Sequence, residues 1–382
     1  WRMVEVKAST RVKDYQRDDV AVQSFIALEA GVSLASISIA HVDRNFWYAG
    51  NNCYDGLFKI VDLSEESVER HDEVRQWIAG AHETANQPAE PAIETGDHCH
   101  QPFTCGFCAY CNQGKRQPDY PLGSLPRLHA KRRHAIQDRG IDDLRDVPDE
   151  WLNASQQRVK QCSTSGETYF DAAGAAAEFA NHEFPAYFLD FETIAFAVPV
   201  WAGTRPYQQL PFQFSLHIVH EDGRIEHHGF LDLSGRDPSP ACAEKLVRLC
   251  GDKGPIFAYS AGFESRVIRE LAEAEPDFAR LLNAMRSRMV DLLPVARRHF
   301  YHPSQHGSWS IKAVLPALCP ELSYSQLDGV QDGGMAQVAY QEAIAPETSG
   351  ERKDVLRQQL HEYCKLDTLA MVRMWEVFRG VD

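Results

Sequence analysis

The spacing of apolar and polar positions changes several times along the chain, and each change predicts an element. Residues 1–9 (WRMVEVKAS) read as a strand, 14–30 carry a helical period, SLASISIAHV at 33–42 alternates as a second strand, and 64–84 reads as a polar helix. These make an α/β piece, and the Pro-rich stretch NQPAEPAIE (86–94) leads out of it. From 115 to about 180 the texture is short helices and loops. A second α/β piece starts at Pro185, with strands at 186–191, 211–220, up to about 231 after the turn Glu221-Asp222-Gly223, and at 255–260 (PIFAYS). Several helices follow, the last running from about Arg352 to Phe378, and no internal repeat or low-complexity segment occurs.

One strand breaks its own pattern. YFLDFETI (187–194) is an apolar run that carries Asp190 and Glu192, and burying two unpaired carboxylates costs several kcal/mol each, so a lysine, an arginine or a metal ion must compensate them. Two residues apart on a strand, they leave the same face. Glu264, in YSAGFES (259–265), follows the end of another strand, where loops carry chemistry. In YCKLD, Tyr363 and Asp367 stand one helical turn apart and face one way. Carboxylates from a strand, a post-strand turn and a helix can hold two Mg²⁺ or Mn²⁺ ions through oxygen. Such a pair, about 3.5–4 Å apart, activates water and neutralises charge on a phosphodiester.

Composition narrows the partners. A chain of 382 residues has room for two or three domains. Its 54 acidic and 39 basic residues, net −15, argue against purely electrostatic wrapping of nucleic acid but suit an acidic site that holds divalent cations. No run of about 18 apolar residues and no signal-peptide pattern is present, so no membrane partner is expected. Ten cysteines, four of them within 99–111, point to metal ligation in a reducing cytoplasm rather than to disulfides.

LDFET followed far downstream by Tyr-x-x-x-Asp resembles the DEDD exonucleases of the ribonuclease-H-like fold, in the subclass with Tyr in the last motif. The resemblance covers about 185–380. It implies that Asp190, Glu192 and Asp367 are metal ligands and that Tyr363 orients the attacking water. Glu264 stands where that family has Asp. In GSWSIK (307–312), Ser308 or Ser310 is expected to cap the next helix, and Lys312 is a candidate phosphate contact.

Near the start, VEVKAS puts Glu5 and Lys7 on one strand face, and the next helix presents Gln23. The run EVKASTRVKDYQRDDVAVQ resembles the RecB-like branch of the PD-(D/E)XK nucleases. There the Glu ligates metal and the Lys offsets charge at a scissile phosphate. That family also uses an aspartate on an upstream strand, so residues 1–98 are expected to be the C-terminal part of such a domain, truncated at its N-terminus. CHQPFTCGFCAYC supplies Cys99, Cys105, Cys108 and Cys111, which can hold a [4Fe–4S] cluster or tetrahedral Zn²⁺. The Cys-x-x-Cys-x-x-Cys run resembles that of the iron–sulfur-stapled RecB-like nucleases, so iron–sulfur is favoured.

Arg127, Lys131, Arg132 and Arg133 form the one dense basic stretch and are candidate backbone contacts to nucleic acid. The expected organisation is 1–98 RecB-like, 99–114 cysteine motif, 115–184 helical basic linker and 185–382 DEDD-like. The whole layout resembles an uncharacterised bacterial family described as a domain of unknown function. The expected function is a metal-dependent nuclease, a 3′–5′ exonuclease on DNA or RNA, with DNA favoured by the RecB-like resemblance. The alternatives are a non-catalytic nucleic-acid-binding scaffold and a nuclease centred on Glu5 and Lys7.

Overall fold

The structure, a computed structural model, describes residues 1–114, 118–322 and 324–381. The chain forms two compact units, Trp1–Arg116 with Ala195–Gln208, and Gln117–Ile194 with Gln209–Asp382. The boundary expected at 114/115 and the end of the last domain at 382 both touch positions outside the described residues.

In the first unit, β1 (Arg2–Lys7) runs parallel to β2 (Ser36–Val42), which pairs antiparallel with β3 (Phe58–Asp62). A parallel pair needs a crossover, and the helix Asp14–Glu29 supplies it. Val20, Ile37, Ile39 and Leu63 make the apolar centre. Along β1 the half-buried positions are Met3, Glu5 and Lys7, while Val4 and Val6 are exposed. The polar helix expected over 64–84 is two helices, Ser64–Glu69 and His71–Ala85. They meet at Arg70, whose guanidinium holds Asp18 at 2.7 Å and Glu73 at 2.8 Å.

The second unit contains β4 (Tyr169–Phe170), β5 (Ala186–Ile194), β6 (Leu210–Val219), β7 (Ile225–Leu231), β8 (Ile256–Ala258), β9 (Met289–Asp291) and β10 (Phe300–Tyr301). Five of them form one mixed sheet in the order β7-β6-β5-β8-β9. β5, β6 and β7 are an antiparallel meander, and β8 and β9 run parallel to β5. The chain is therefore α/β, as its patterning predicts.

β5 is buried on both faces, and its alternation sorts its side chains. Tyr187, Leu189 and Phe191 join Val267, Ile268 and Leu271 of the helix Gly262–Ala274. Phe188 points the other way, its ring centroid 5.1 Å from that of Phe257 and 5.4 Å from that of Trp375. Aromatic pairs of this kind add about 0.5–1.5 kcal/mol beyond their buried area. Asp190 and Glu192 share the face of Phe188 because strand side chains alternate. The C-terminal helix Gly350–Arg379 covers that face, with Met371, Met374, Trp375 and Phe378 in the same apolar cluster. A period of two on the strand and of 3.6 on the helix thus bring two sets of carboxylates into one layer.

The segment expected as a basic linker behaves differently over its described residues. Leu122, Leu125, Ile136, Leu144 and Val159 lie in the same cluster as Phe188 and Phe257, and β4 pairs with β10. This stretch is part of the second unit's core. No helix among the described residues is long and apolar enough to cross a membrane.

Candidate metal centre

Asp190 and Glu192 come from β5 and Asp367 from the C-terminal helix, and each offers an oxygen within 4.8 Å of the others. Glu192 and Asp367 are buried and Asp190 is partly exposed. Glu264 is buried in the first turn of the helix Gly262–Ala274, where a post-strand turn was expected. It lies outside the group of three, yet close enough for its charge to disfavour ionisation of Asp190 and Glu192. Its Oε2 is buried without a hydrogen-bond partner.

The electrostatics are those of an uncompensated site. Burial, then repulsion from Asp367, holds Asp190 well above the carboxylate range. The same two causes push Glu192 up to about 8. Burial alone is the main cause for Glu264, at about 7, and for Asp367, at about 6. None of the four forms an ion pair with a Lys, Arg or His among the described residues. Partial relief comes from the helix Gly333–Ile344, which starts against Glu192: a Cβ on Gly333 would lie 3.7 Å from Glu192 Oε2. The positive end of a helix favours a carboxylate, although Asp332, at the cap of that helix, acts on Glu192 in the opposite sense.

Lys312 lies beside this centre. Its Nζ donates to the Gln331 carbonyl at 2.6 Å and sits 5.1 Å and 5.4 Å from the ring centroids of Tyr324 and Tyr363. Its charge favours ionisation of Glu192 and Asp367. Ser310 occupies the cap position of the helix Ile311–Leu318, but its side chain makes no capping bond. Ser308 instead accepts from the Ser310 backbone N–H at 3.2 Å. The expected serine cap is therefore replaced by a local turn.

Tyr324 was not foreseen. Its hydroxyl donates to Asp367 Oδ1 at 2.6 Å, and its ring lies 6.4 Å from that of Tyr363. It comes from a short turn, Tyr324–Gln326, with no motif to announce it. Burial and the nearby Asp367 push both tyrosine hydroxyls far above neutral pH, so both stay protonated.

The N-terminal candidates also converge, and there the charges are answered. Lys7 Nζ lies 2.8 Å from Glu5 and 2.5 Å from Asp19, and Gln23 donates to Asp19 at 3.0 Å. Asp19 joins the expected residues, one helical turn from Gln23. Its hydrogen bond to Lys7 holds the Asp19 carboxyl below its usual range and raises the Lys7 ammonium above its own.

The cysteine motif is not gathered in the same way. Cys99 is buried and Cys105 exposed, and the Cys108 thiol is directed at the Cys99 carbonyl, 3.5 Å away. Among the described residues, Asp190, Glu192 and Asp367 are the one group of three or more His, Cys or carboxylate ligands that closes within 4.8 Å. The arrangement does not support the expected [4Fe–4S] or Zn²⁺ site. The thiols lie in a stretch of short turns, Asp97–His100 and Cys108–Cys111, where burial and then the neighbouring Cys99 and Cys105 push the Cys108 thiol up, but no three of them close within 4.8 Å.

In the basic stretch, Lys131, Arg132 and Arg133 lie on the helix Ala130–Gln137. The Arg132 guanidinium is taken up by the Trp151 carbonyl. Arg127 precedes that helix in the left-handed region, φ 55°.

The fold and site define a mixed α/β protein with a buried carboxylate centre suited to a metal ion. Over residues 187–310 the chain is similar to the family described as "Domain of unknown function (DUF2779)". That stretch holds Asp190, Glu192 and Glu264 and ends before Tyr363 and Asp367. Neither the curated proteins nor the solved structures give a match.

Proposed function

We propose that the chain is a metal-dependent nuclease, a 3′–5′ exonuclease acting on DNA rather than RNA, with its working site at Asp190, Glu192, Glu264 and Asp367. The observation that carries this reading is the approach of three carboxylates to within 4.8 Å without a paired cation. A meander of three antiparallel strands continued by two parallel ones, in the order β7-β6-β5-β8-β9, supports the ribonuclease-H-like fold that the DEDD resemblance implies.

The donors fit a hard divalent cation. All are carboxylate oxygens, the set that Mg²⁺ and Mn²⁺ prefer, and the orphaned Oε2 of Glu264 is a buried acceptor awaiting a partner. In this reading Asp190, Glu192 and Asp367 would hold a divalent ion, and Glu264, whose charge acts on Asp190 and Glu192, would be a further ligand. When bound, the ions supply an activated water and offset charge developing on a phosphodiester. The Tyr363 hydroxyl, which burial keeps protonated, positions that water by hydrogen bonding and does not act as a base. Lys312 adds a fixed positive charge on the same side.

The test is Mg²⁺- or Mn²⁺-dependent shortening of a single-stranded oligonucleotide labelled at its 5′ end. Stepwise shortening that disappears in Asp190→Asn supports the reading, and cleavage that persists in that variant contradicts it. One observation favours a second reading, with the nuclease site in the first unit: Glu5, Lys7, Asp19 and Gln23 form one network, and a cavity of about 640 Å³ lies beside Lys7 and Asp19. Loss of activity in Lys7→Ala with Asp190 intact would favour it.

A further inference from the structure

A groove of about 1050 Å³ runs through the second unit, and its chemistry is opposite to that of the chain as a whole. In a protein of net charge −15, this groove is lined by Arg127, Arg297 and Arg298 and by no Asp or Glu. Several arginines elsewhere are matched by carboxylates, as Arg145 is by Asp143 and Asp119, and Arg352 by Glu342. Within the groove, Arg298 reaches Glu178 at 2.8 Å. The guanidinium groups of Arg127 and Arg297 have no ion-pair or hydrogen-bond partner among the described residues. A concave surface with unmatched cations concentrates anions.

Its position ties it to the carboxylate centre. β8 and β9 are parallel and end at Ala258 and Asp291. The groove wall continues from those ends through Ser260 and Leu293, the crevice at strand carboxyl ends where open α/β sheets bind ligands. Two of the chain segments that line the groove lead toward that centre. Four residues after Ser260 comes Glu264, and one residue beyond the Ser308–Ile311 wall comes Lys312. The opposite rim, with Arg127, belongs to the segment that precedes the five-stranded sheet.

We infer that this groove binds the phosphodiester backbone of a single nucleic-acid strand and leads its end to the carboxylate centre. The inference rests on the nuclease reading for the word "end", and on the groove's own charge for the word "backbone". Guanidinium groups are suited to phosphate by their planar, forked donors. Exposed hydroxyls at Ser308 and Ser310 add neutral donors of the kind that position a strand without reading its sequence.

The test uses the full chain and a fluorescein-labelled 12-nucleotide single strand, with Ca²⁺ in place of Mg²⁺ to prevent cutting. The variant is Arg127→Gly with Arg297→Gln. Glycine suits the left-handed backbone at 127, and both side chains are exposed, so the thermal midpoint should stay that of the parent. Binding should weaken by about tenfold or more, and the slope of log affinity against log salt should flatten by about 1.4, since each lost contact to a single strand removes about 0.7. Unchanged affinity and slope overturn the inference. So does equal affinity for a dinucleotide and the 12-mer, which would mean an isolated phosphate site. Charge-preserving Arg127→Lys with Arg297→Lys should retain most of the slope, and a loss as large as in the neutral variant also counts against it. If the parent cuts nothing with Mg²⁺ or Mn²⁺ yet binds the strand through these arginines, the nuclease reading fails and the groove assignment stands. If it cuts, and the neutral variant binds as the parent does, the reverse holds.

Discussion

The two units each hold a cluster of acidic side chains on a strand-and-helix frame, and the clusters differ in what answers their charge. At β1, Glu5 and Asp19 share Lys7, and Gln23 completes the network from inside the protein. At β5, Asp190, Glu192 and Asp367 meet without a paired cation, with Glu264 buried nearby. The first arrangement is stable as it stands. The second is costly unless something positive arrives, because buried like charges repel. An acidic cluster is a stronger pointer to a ligand where the protein has left its charge unanswered than where it has satisfied it.

The comparison breaks first, and most visibly, on activity. Asp190→Ala or Asp367→Ala should abolish metal-dependent cleavage of a single-stranded oligonucleotide with the fold intact by circular dichroism, whereas Glu5→Ala should leave it in place. Tyr363→Phe should slow turnover by about 10²–10³-fold, because it removes a hydrogen bond to water and no ligand. Glu264→Asp keeps the carboxylate but shortens the arm by one methylene. Turnover in that variant should fall by up to about 10²-fold if the carboxylate's reach matters.

Stability against pH sharpens the contrast. Burial places Glu192 at about 8, Glu264 at about 7 and Asp367 at about 6, all above the roughly 4 of an unfolded carboxyl. Across that interval the folded chain binds more protons than the unfolded one, so stability falls as pH rises. In chelator the melting temperature should drop from pH 5 to pH 8. Saturating Mn²⁺ should remove most of the drop, and Glu192→Gln should shrink it. A chelated protein equally stable at both pH values would contradict the charge assignment. Lys7→Ala should have the smallest effect, about 1 kcal/mol or less in denaturant unfolding, since its partners are partly exposed.

Much of the carboxylate centre was legible because it follows local periods. Asp190 and Glu192 share a face by strand alternation, and Tyr363 and Asp367 by one helical turn. What lies between those elements was not legible. Tyr324 reaches Asp367 from 43 residues away, and Asp19 on its helix meets Lys7 on β1. In each case only the folded chain brings the partners together. The same limit explains the segment after 117, whose apolar residues are scattered among turns yet pack on Phe188 and Phe257. It also bears on the cysteines, whose thiols neighbour one another without three of them closing within 4.8 Å.

The most direct measurement is calorimetric titration of Mn²⁺ into the metal-free chain at pH 8, beside Asp190→Asn and Lys7→Ala. The account predicts binding by the parent and by Lys7→Ala, with the isotherm lost in Asp190→Asn. An isotherm that survives Asp190→Asn and disappears with Lys7→Ala would contradict it and move the metal to the first unit.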